Sequence, residues 1–320
     1  MDWTDRIGRR IKLRDLHILL TVAKCGSMGK AGAQLAISQP VVSKAISDLE
    51  RSVGVPLLDR GPQGIEPTVF GEALLKCGLA VFDDLRRGVK ALEFLTDPAG
   101  GELRIGCTEA GATGFVPAVI ERLSRQFPRV NFHVVVADSE TLAMRELPQR
   151  NVEFAIGATP SESLGSNIEM EILFNERQVV MAGTKSKWTR ARNLVLADLV
   201  HERWVLPPQD SIAGFHVSEA FRFHGLSLPA TKVVSFSMPL AHHLLASGRY
   251  LSMQPIEMAR LAKHLPLKVL DVRFDGIPRS IAIMRLKNRT ATPLAKRFMD
   301  CAWEMTKTLR QNDTPASRRR

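Results

Sequence analysis

Gln39, Ser43, Lys44 and Ser47 are spaced so that short polar and cationic side chains share one flank of a helix. Side chains of these types bond base edges and phosphates in a DNA groove. Gln39 can bond an adenine edge bidentately or donate to a phosphate, Ser43 and Lys44 can bind phosphates or guanine, and the Val41 methyls can meet a thymine methyl. Arg60, in a loop farther on, can follow the backbone into the adjacent minor groove. The same spacing fits an ordinary solvated helix face, so spacing alone does not decide. A second set comprises Thr108, Glu109, Ala110, Gly111 and Thr113, with Ser139 after the next apolar run. Hydroxyls and amides where strands end and helices begin favour carboxylate or phosphate groups. Hydroxyls there also serve as plain helix caps. The Glu109 carboxylate repels an anion unless it points outward or pairs with a cation.

The first set needs a helix held down by its other side. Leu13, Leu16, Leu20 and Ala23 predict a first helix ending at Gly26, where a left-handed cap costs least without a Cβ. Ser27 then caps a second helix holding Ala31 and Leu35, and Ser38 caps a third with Pro40 in its first turn. That third helix buries Val42, Ile46, Leu49 and Val53 and stops at Gly54. Two short extended pieces around Gly61, Pro62 and Gly64 then predict a hairpin-like loop. Three helices and such a loop make the pattern of a winged helix-turn-helix. From Thr68 to Thr96 runs one long helix whose seam, Leu74, Gly78, Val81, Leu85, Gly88, Leu92 and Leu95, has the spacing that pairs helices. Its two glycines weaken that pairing or mark a close crossing, and 97–101 reads as a hinge.

Beyond residue 102 the chain alternates strands and helices. Leu103 to Cys107, Phe132 to Val136 and Phe154 to Ile156, separated by helices Phe115 to Gln126 and Thr141 to Gln149, have the form of parallel βαβ units. Around Leu173 to Met181 the chain enters a second lobe, with strands Arg203 to Leu206 and Lys232 to Phe236 and helices Phe215 to His224 and Leu240 to Ala246. Arg279 to Arg285 is a late strand, Pro293 to Thr308 a last helix, and 311–320 a basic tail expected to be disordered. Two α/β lobes bind small ligands between them, where strand ends and helix starts converge.

The run from Gly26-Ser27-Met28 through Leu35-Ala36-Ile37-Ser38-Gln39-Pro40-Val41-Val42-Ser43-Lys44 to Leu49-Glu50, with Leu57-Leu58-Asp59-Arg60 and Thr68-Val69-Phe70-Gly71, resembles the N-terminal domain of LysR-type transcriptional regulators. The resemblance extends over nearly the whole chain. It implies an α+β multi-domain protein: a winged helix-turn-helix DNA-binding domain at 1–67, a linker and dimerisation helix at 68–96, a hinge at 97–101, and an effector-binding domain at 102–310. That last domain is two-lobed, α/β and of periplasmic-binding-protein type, its second lobe at about 180–272. By family position Ser27, Lys30, Gln39, Pro40, Ser43, Lys44 and Arg60 are implied DNA contacts, beside Val41 and Ser47 on the same face. Thr108, Glu109, Ala110, Gly111, Thr113 and Ser139 are implied effector contacts, joined from the second lobe by Leu206, Pro207, Ser235, Ser237 and Met238. The implied partners are a double-stranded DNA operator, a small-molecule effector, a second copy in a dimer or tetramer, and RNA polymerase. Met28, Gly29 and Gly32 depart from the family pattern and are expected to loosen the second helix slightly. The stretches 62–67 and 284–289 look similar to a branch concerned with sugar or aromatic catabolism.

Composition fits a folded chain of 320 residues, 45% apolar and 24% charged, with no apolar run long enough to cross a membrane. The start has no secretory pattern, which predicts a cytoplasmic protein. That in turn argues against an exported solute-binding protein. Of the net charge of +11, residues 1–100 hold 14 Lys and Arg against 12 Asp and Glu, so +9 lies in residues 101–320. Net charge therefore does not locate a DNA-binding face. Cys25, Cys77, Cys107 and Cys301 lie too far apart for metal-ligand spacing and read as reduced, mostly buried thiols; no metal or cofactor is expected. No GxSxG, HExxH, P-loop or GxGxxG motif appears, His242 and His243 point to different helix faces, and His133 reads as structural, so an enzyme is not expected. An architectural DNA binder without ligand control leaves the two lobes unexplained.

Overall fold

The computed structural model describes residues 11–61, 64–159, 167–230, 232–256, 265–274 and 279–312. The chain divides into two compact units, Met1–Val89 and Lys90–Arg320.

In the first unit, α1 (Leu13–Cys25), α2 (Met28–Leu35) and α3 (Gln39–Val53) share a core of Leu19, Val22, Ala31, Val42, Ile46 and Leu49. Val53, expected in that stripe, is only half-buried at its edge. Gly26 and Gly54 end α1 and α3 with φ of 63° and 82°, the left-handed region that glycine enters without Cβ cost. Ser38 holds the N-cap position of α3 through its carbonyl, which accepts from Val41 and Val42, but its hydroxyl caps nothing. Gly32 corrects the expected loosening of α2. A Cβ there would lie 2.7 Å from the Ile37 carbonyl oxygen, and the Ile37 amide donates back to Gly32 at 3.0 Å. The missing side chain is what lets the turn fold tightly onto α2. The hairpin is real: β1 (Leu58–Gly61) pairs antiparallel with β2 (Gly64–Pro67). The long helix α4 is Val69–Thr96. Of its two seam glycines, Gly78 packs against Leu20 of α1, whereas Gly88 faces open space.

The second unit holds two five-stranded sheets. The first runs in the order β4-β3-β5, continued by two strands that return from farther along the chain. Its strands β3 (Gly100–Cys107), β4 (Arg129–Val136) and β5 (Phe154–Ala158) are parallel, as expected. The late strand Arg279–Leu286 enters next to β5 and runs antiparallel to it, and β6 (Ile168–Glu176) pairs antiparallel with that strand at the sheet edge, so the sheet is mixed through one reversed strand rather than purely parallel. The second sheet is mixed for the same reason. Parallel β9 (Arg203–Leu206), β10 (Lys232–Val234) and β11 (Tyr250–Pro255) are continued on one side by the reversed strand β7 (Gln178–Gly183), which pairs antiparallel with β11 and with the edge strand β12 (Leu267–Val269). The short β8 (Leu194–Val195) and β13 (Val272–Arg273) pair beside it, which makes the late strand β14.

Helices α5 (Glu109–Thr113) and α6 (Phe115–Gln126) follow β3. The helix expected at Thr141 to Gln149 is instead one turn, α7 (Ser139–Thr141), running into a π-helical turn at Leu142–Glu146. Among the described residues, further α-helices are α8 (Leu196–Leu199), α9 (Ile212–Phe223), α10 (Met238–Ala246) and α11 (Pro293–Asn312). Helix α11 continues two residues into the expected disordered tail, and the rest of that tail lies outside the described residues. In the stretch 97–101, Gly100 and Gly101 open β3 opposite Arg129 and Val130, and Asp97 pairs with Arg129 at 2.5 Å. The Phe154–Phe298 contact at 5.2 Å centres the first lobe's core, and the Trp204–Phe221 contact at 5.4 Å centres the second's.

The cysteines are free but less buried than expected. Cys107 and Cys301 are buried, Cys25 is half-buried and Cys77 is exposed. Burial, helped by the Glu109 charge, pushes the Cys107 thiol up to about 12. At pH 8 a thiol reagent should therefore label Cys77 first, with Cys107 protected until the chain unfolds. Peptide mapping after a brief iodoacetamide pulse reads this, and early labelling of Cys107 contradicts the buried placement.

Candidate functional site

Helix α3 is amphipathic in the required sense. Val42, Ile46 and Leu49 are buried, while Gln39, Pro40, Val41, Lys44 and Ser47 are exposed and Ser43 is half-buried at the border. Six candidate contacts thus share one flank. The Gln39 carboxamide oxygen lies 3.6 Å from where a Cβ on Gly29 would stand, an ordinary contact distance that places this side chain over the start of α2. Ser27 caps α2, accepting from the Lys30 amide at 3.5 Å, and leaves the Lys30 side chain exposed. Arg60 lies in β1 opposite Ile65, and its side chain lies outside what is described. Thr68 fixes the wing to α4: its hydroxyl donates to the Pro56 carbonyl at 2.8 Å and accepts from the Gly71 amide at 3.0 Å.

The second unit has a cavity of about 370 Å³ between its two sheets. Thr108, Glu109, Ala110 and Ser139 line it from the first lobe, and Leu206, Pro207, Ser235, Ser237 and Met238 from the second. These are the C-terminal ends of parallel strands and the starts of the helices that follow. Two expected residues do not reach it. The Gly111 amide is turned to the Thr108 hydroxyl at 3.3 Å, and the Thr113 hydroxyl donates to the Glu109 carbonyl at 2.8 Å, so the first turn of α5 consumes both. Most of the hydroxyls act as caps as well as walls. Ser237 accepts from Leu240 at 3.3 Å, and Ser235 accepts from Ser237 at 3.0 Å. Ser139 differs: it is 4% exposed, lines the cavity, and its hydroxyl has no hydrogen-bond partner among the described residues. Gly157 makes room for it, since a Cβ there would lie 2.7 Å from its oxygen.

Residues that the sequence did not single out complete the cavity. Asp138 caps α7, accepting from the Thr141 amide at 2.8 Å and the Thr141 hydroxyl at 2.6 Å. Burial raises the Asp138 pKa, but these hydrogen bonds outweigh it and hold the carboxyl below its ordinary value. Gln254 is fully buried, joined to His242 at 3.1 Å and to Ser252 at 3.3 Å, with Ser252 donating to the Val205 carbonyl at 2.9 Å. Arg279 reaches the cavity from β14 and pairs with Glu176, donating through Nε at 2.8 Å and also through Nη2. The cavity therefore presents neutral donors and acceptors, one neutralised ion pair and two carboxylates against apolar walls. Among the described residues no group of His, Cys, Asp and Glu side chains is arranged to hold a metal ion, and no helix is long and apolar enough to cross a membrane.

A winged helix-turn-helix and two α/β lobes around a ligand-sized cavity define a ligand-responsive class of DNA-binding protein. Residues 13–72 match the bacterial regulatory helix-turn-helix protein model of the lysR family, and residues 96–307 match the LysR substrate binding domain. The chain belongs to the LysR-type transcriptional regulators, which are regulators and not enzymes. It is similar to the HTH-type transcriptional regulator GbpR of Azospirillum brasilense, 31% identical over 232 residues, 72% of this chain and 67% of that one. Its fold is similar to a full-length OxyR variant from Pseudomonas aeruginosa, with TM-score 0.66, 20% identity, and 93% and 95% of the two chains covered. It is also similar to full-length CbnR complexed with its target DNA, with TM-score 0.64, 19% identity, and 92% and 100% covered.

Proposed function

We propose that this regulator sits in the cytoplasm as a homodimer or homotetramer and controls genes of sugar or aromatic catabolism in response to a small molecule held in the cavity between its lobes. The observation that carries the reading is that cavity, with the unpartnered Ser139 hydroxyl on its wall. The exposed flank of α3 reads the major groove through Gln39, Val41, Ser43, Lys44 and Ser47, while Ser27, Lys30, Pro40 and Arg60 fix the domain on the backbone. Two copies place their recognition helices about one turn, ~34 Å, apart on one face of an imperfect inverted repeat. Helix α4 supports the pairing, because Leu85, Val89, Leu92 and Leu95 are exposed along it in the single chain. The ligand acts only through its differential affinity for two arrangements of the lobes, and the segment 97–101 carries that difference to the DNA-binding pairs and to RNA polymerase.

Footprinting in cells finds the operator, and the neighbouring operon names metabolites to screen by thermal stabilisation of the full chain. Lys44→Ala should weaken operator binding and flatten the salt dependence by about one phosphate charge. An unchanged affinity and slope in a gel-shift titration removes Lys44 from the interface. A ligand found by the screen should stabilise Ser139→Ala less than the parent chain. Equal stabilisation places the ligand elsewhere.

A further inference from the structure

The DNA-binding half leaves most of the chain's positive charge unexplained, since +9 of the +11 lies beyond residue 100. Part of it gathers at the end of the second sheet opposite the cleft. Leu206 closes β9 at the ligand cavity, while Arg203 opens β9 at a separate concavity of about 450 Å³. Ser186, Lys187, Trp188, His201, Arg203 and Arg249 line it. One acidic residue, Glu202, is there too, but it is taken by Lys187 at 2.8 Å. Lys187 also lies 5.0 Å from the centre of the Trp188 ring, so one cation is already held in place. Arg203 and Arg249 have no ion-pair partner among the described residues and are both exposed. The Trp188 indole N–H is buried without an acceptor, and Ser186 beside it is 5% exposed. Two free guanidinium forks, an ammonium and an unused N–H donor offer more positive charge and more donors than the surrounding protein satisfies. A buried donor left unpaired is costly, which makes an acceptor from outside the chain favourable here.

We propose that this concavity is an anion site that takes the phosphate group of a phosphorylated small molecule, separate from the ligand cleft. Guanidinium groups match phosphate oxygens bidentately, and a phosphate monoester carries two negative charges over three acceptor oxygens. The Trp188 ring forms an apolar wall for the rest of the molecule. A concavity of this volume fits a metabolite. The inference does not depend on what the cleft binds.

The test is a titration of the full-length chain with inorganic phosphate, glucose 6-phosphate, glucose and a short duplex DNA, read by tryptophan fluorescence and by calorimetry. Glucose 6-phosphate and phosphate should both bind and change the emission, and glucose should do neither. Trp188→Phe should lose the optical signal. Arg203→Ala combined with Arg249→Ala removes two exposed side chains, so the variant should melt like the parent and bind the ester at least ~10-fold more weakly. Absence of binding, or equal binding by the double variant, overturns the proposal. Binding of inorganic phosphate without the ester overturns it in favour of a simple ion site, and a signal from duplex DNA alone overturns it in favour of nucleic acid.

Discussion

Gly71→Ala should unfold the N-terminal unit while leaving the two-lobed unit folded. A Cβ on Gly71 would lie 2.0 Å from the Leu57 carbonyl oxygen and 3.3 Å from the Pro67 Cβ, and the nearer neighbour is backbone that cannot rotate away. The same carbonyl accepts the Thr68 amide at 3.0 Å, and the Gly71 amide donates to the Thr68 hydroxyl. Opening the corner to admit a methyl group therefore gives up the hydrogen bonds that dock the wing on α4. The cost lies at or above the upper end of overpacking, about 3 kcal/mol, a large part of what a small domain has. Gly78→Ala in the same helix serves as the control. Its added methyl meets Leu20 at an ordinary 3.6 Å, so the helix interior gains up to ~1 kcal/mol. Urea melting followed by circular dichroism should show the first unit's transition lost in Gly71→Ala and moved to higher urea in Gly78→Ala. A native-like first transition in Gly71→Ala contradicts the packing at that corner.

Removing one partner of the Glu176–Arg279 pair should be among the most costly single changes in the second unit. Both side chains are more than nine-tenths buried, and the pair joins the end of β6 to the start of β14. Arg279 faces the ligand cavity, while Glu176 lines a second cavity behind it with His216. Burial and the Arg279 charge hold the His216 pKa down against the opposing Glu219 charge, and its Nδ1 is buried without a partner. Glu176→Ala strands a buried guanidinium and should cost about 3–5 kcal/mol, whereas Glu176→Leu with Arg279→Met should cost far less. A double-mutant cycle on the second unit's melting transition measures the difference. Additive single effects show that the two groups do not act as a buried pair.

The helix-turn-helix was legible because local signals agree: Val42, Ile46 and Leu49 at helical spacing, and left-handed glycines closing α1 and α3. The lobes were legible as strands and helices but not in their strand directions. β14 enters between β5 and β6 from more than a hundred residues away, and no local pattern encodes which way a returning strand runs. The same distance hid the Glu176–Arg279 pair. Nine of the eleven expected cleft residues line the cavity because strand ends and helix starts are visible as punctuation. Gly111 and Thr113 fail because the five-residue helix engages both in its own hydrogen bonds and leaves Thr113 exposed away from the cavity. Gln254 and Ser252 escaped notice because alternation in an apolar strand does not show that a buried amide and hydroxyl have found each other.

The central claim is that the exposed flank of α3 reads DNA sequence while a second copy does the same one turn away. Quantitative protection footprinting of the purified full-length chain on its own upstream region at physiological salt tests this most directly. Two protected half-sites centred about 10 base pairs apart, or a multiple of one turn, are the expected result, and in Lys44→Ala both should require more protein for the same protection. A monomeric chain that protects no preferred sequence, with or without metabolite extract, contradicts the account.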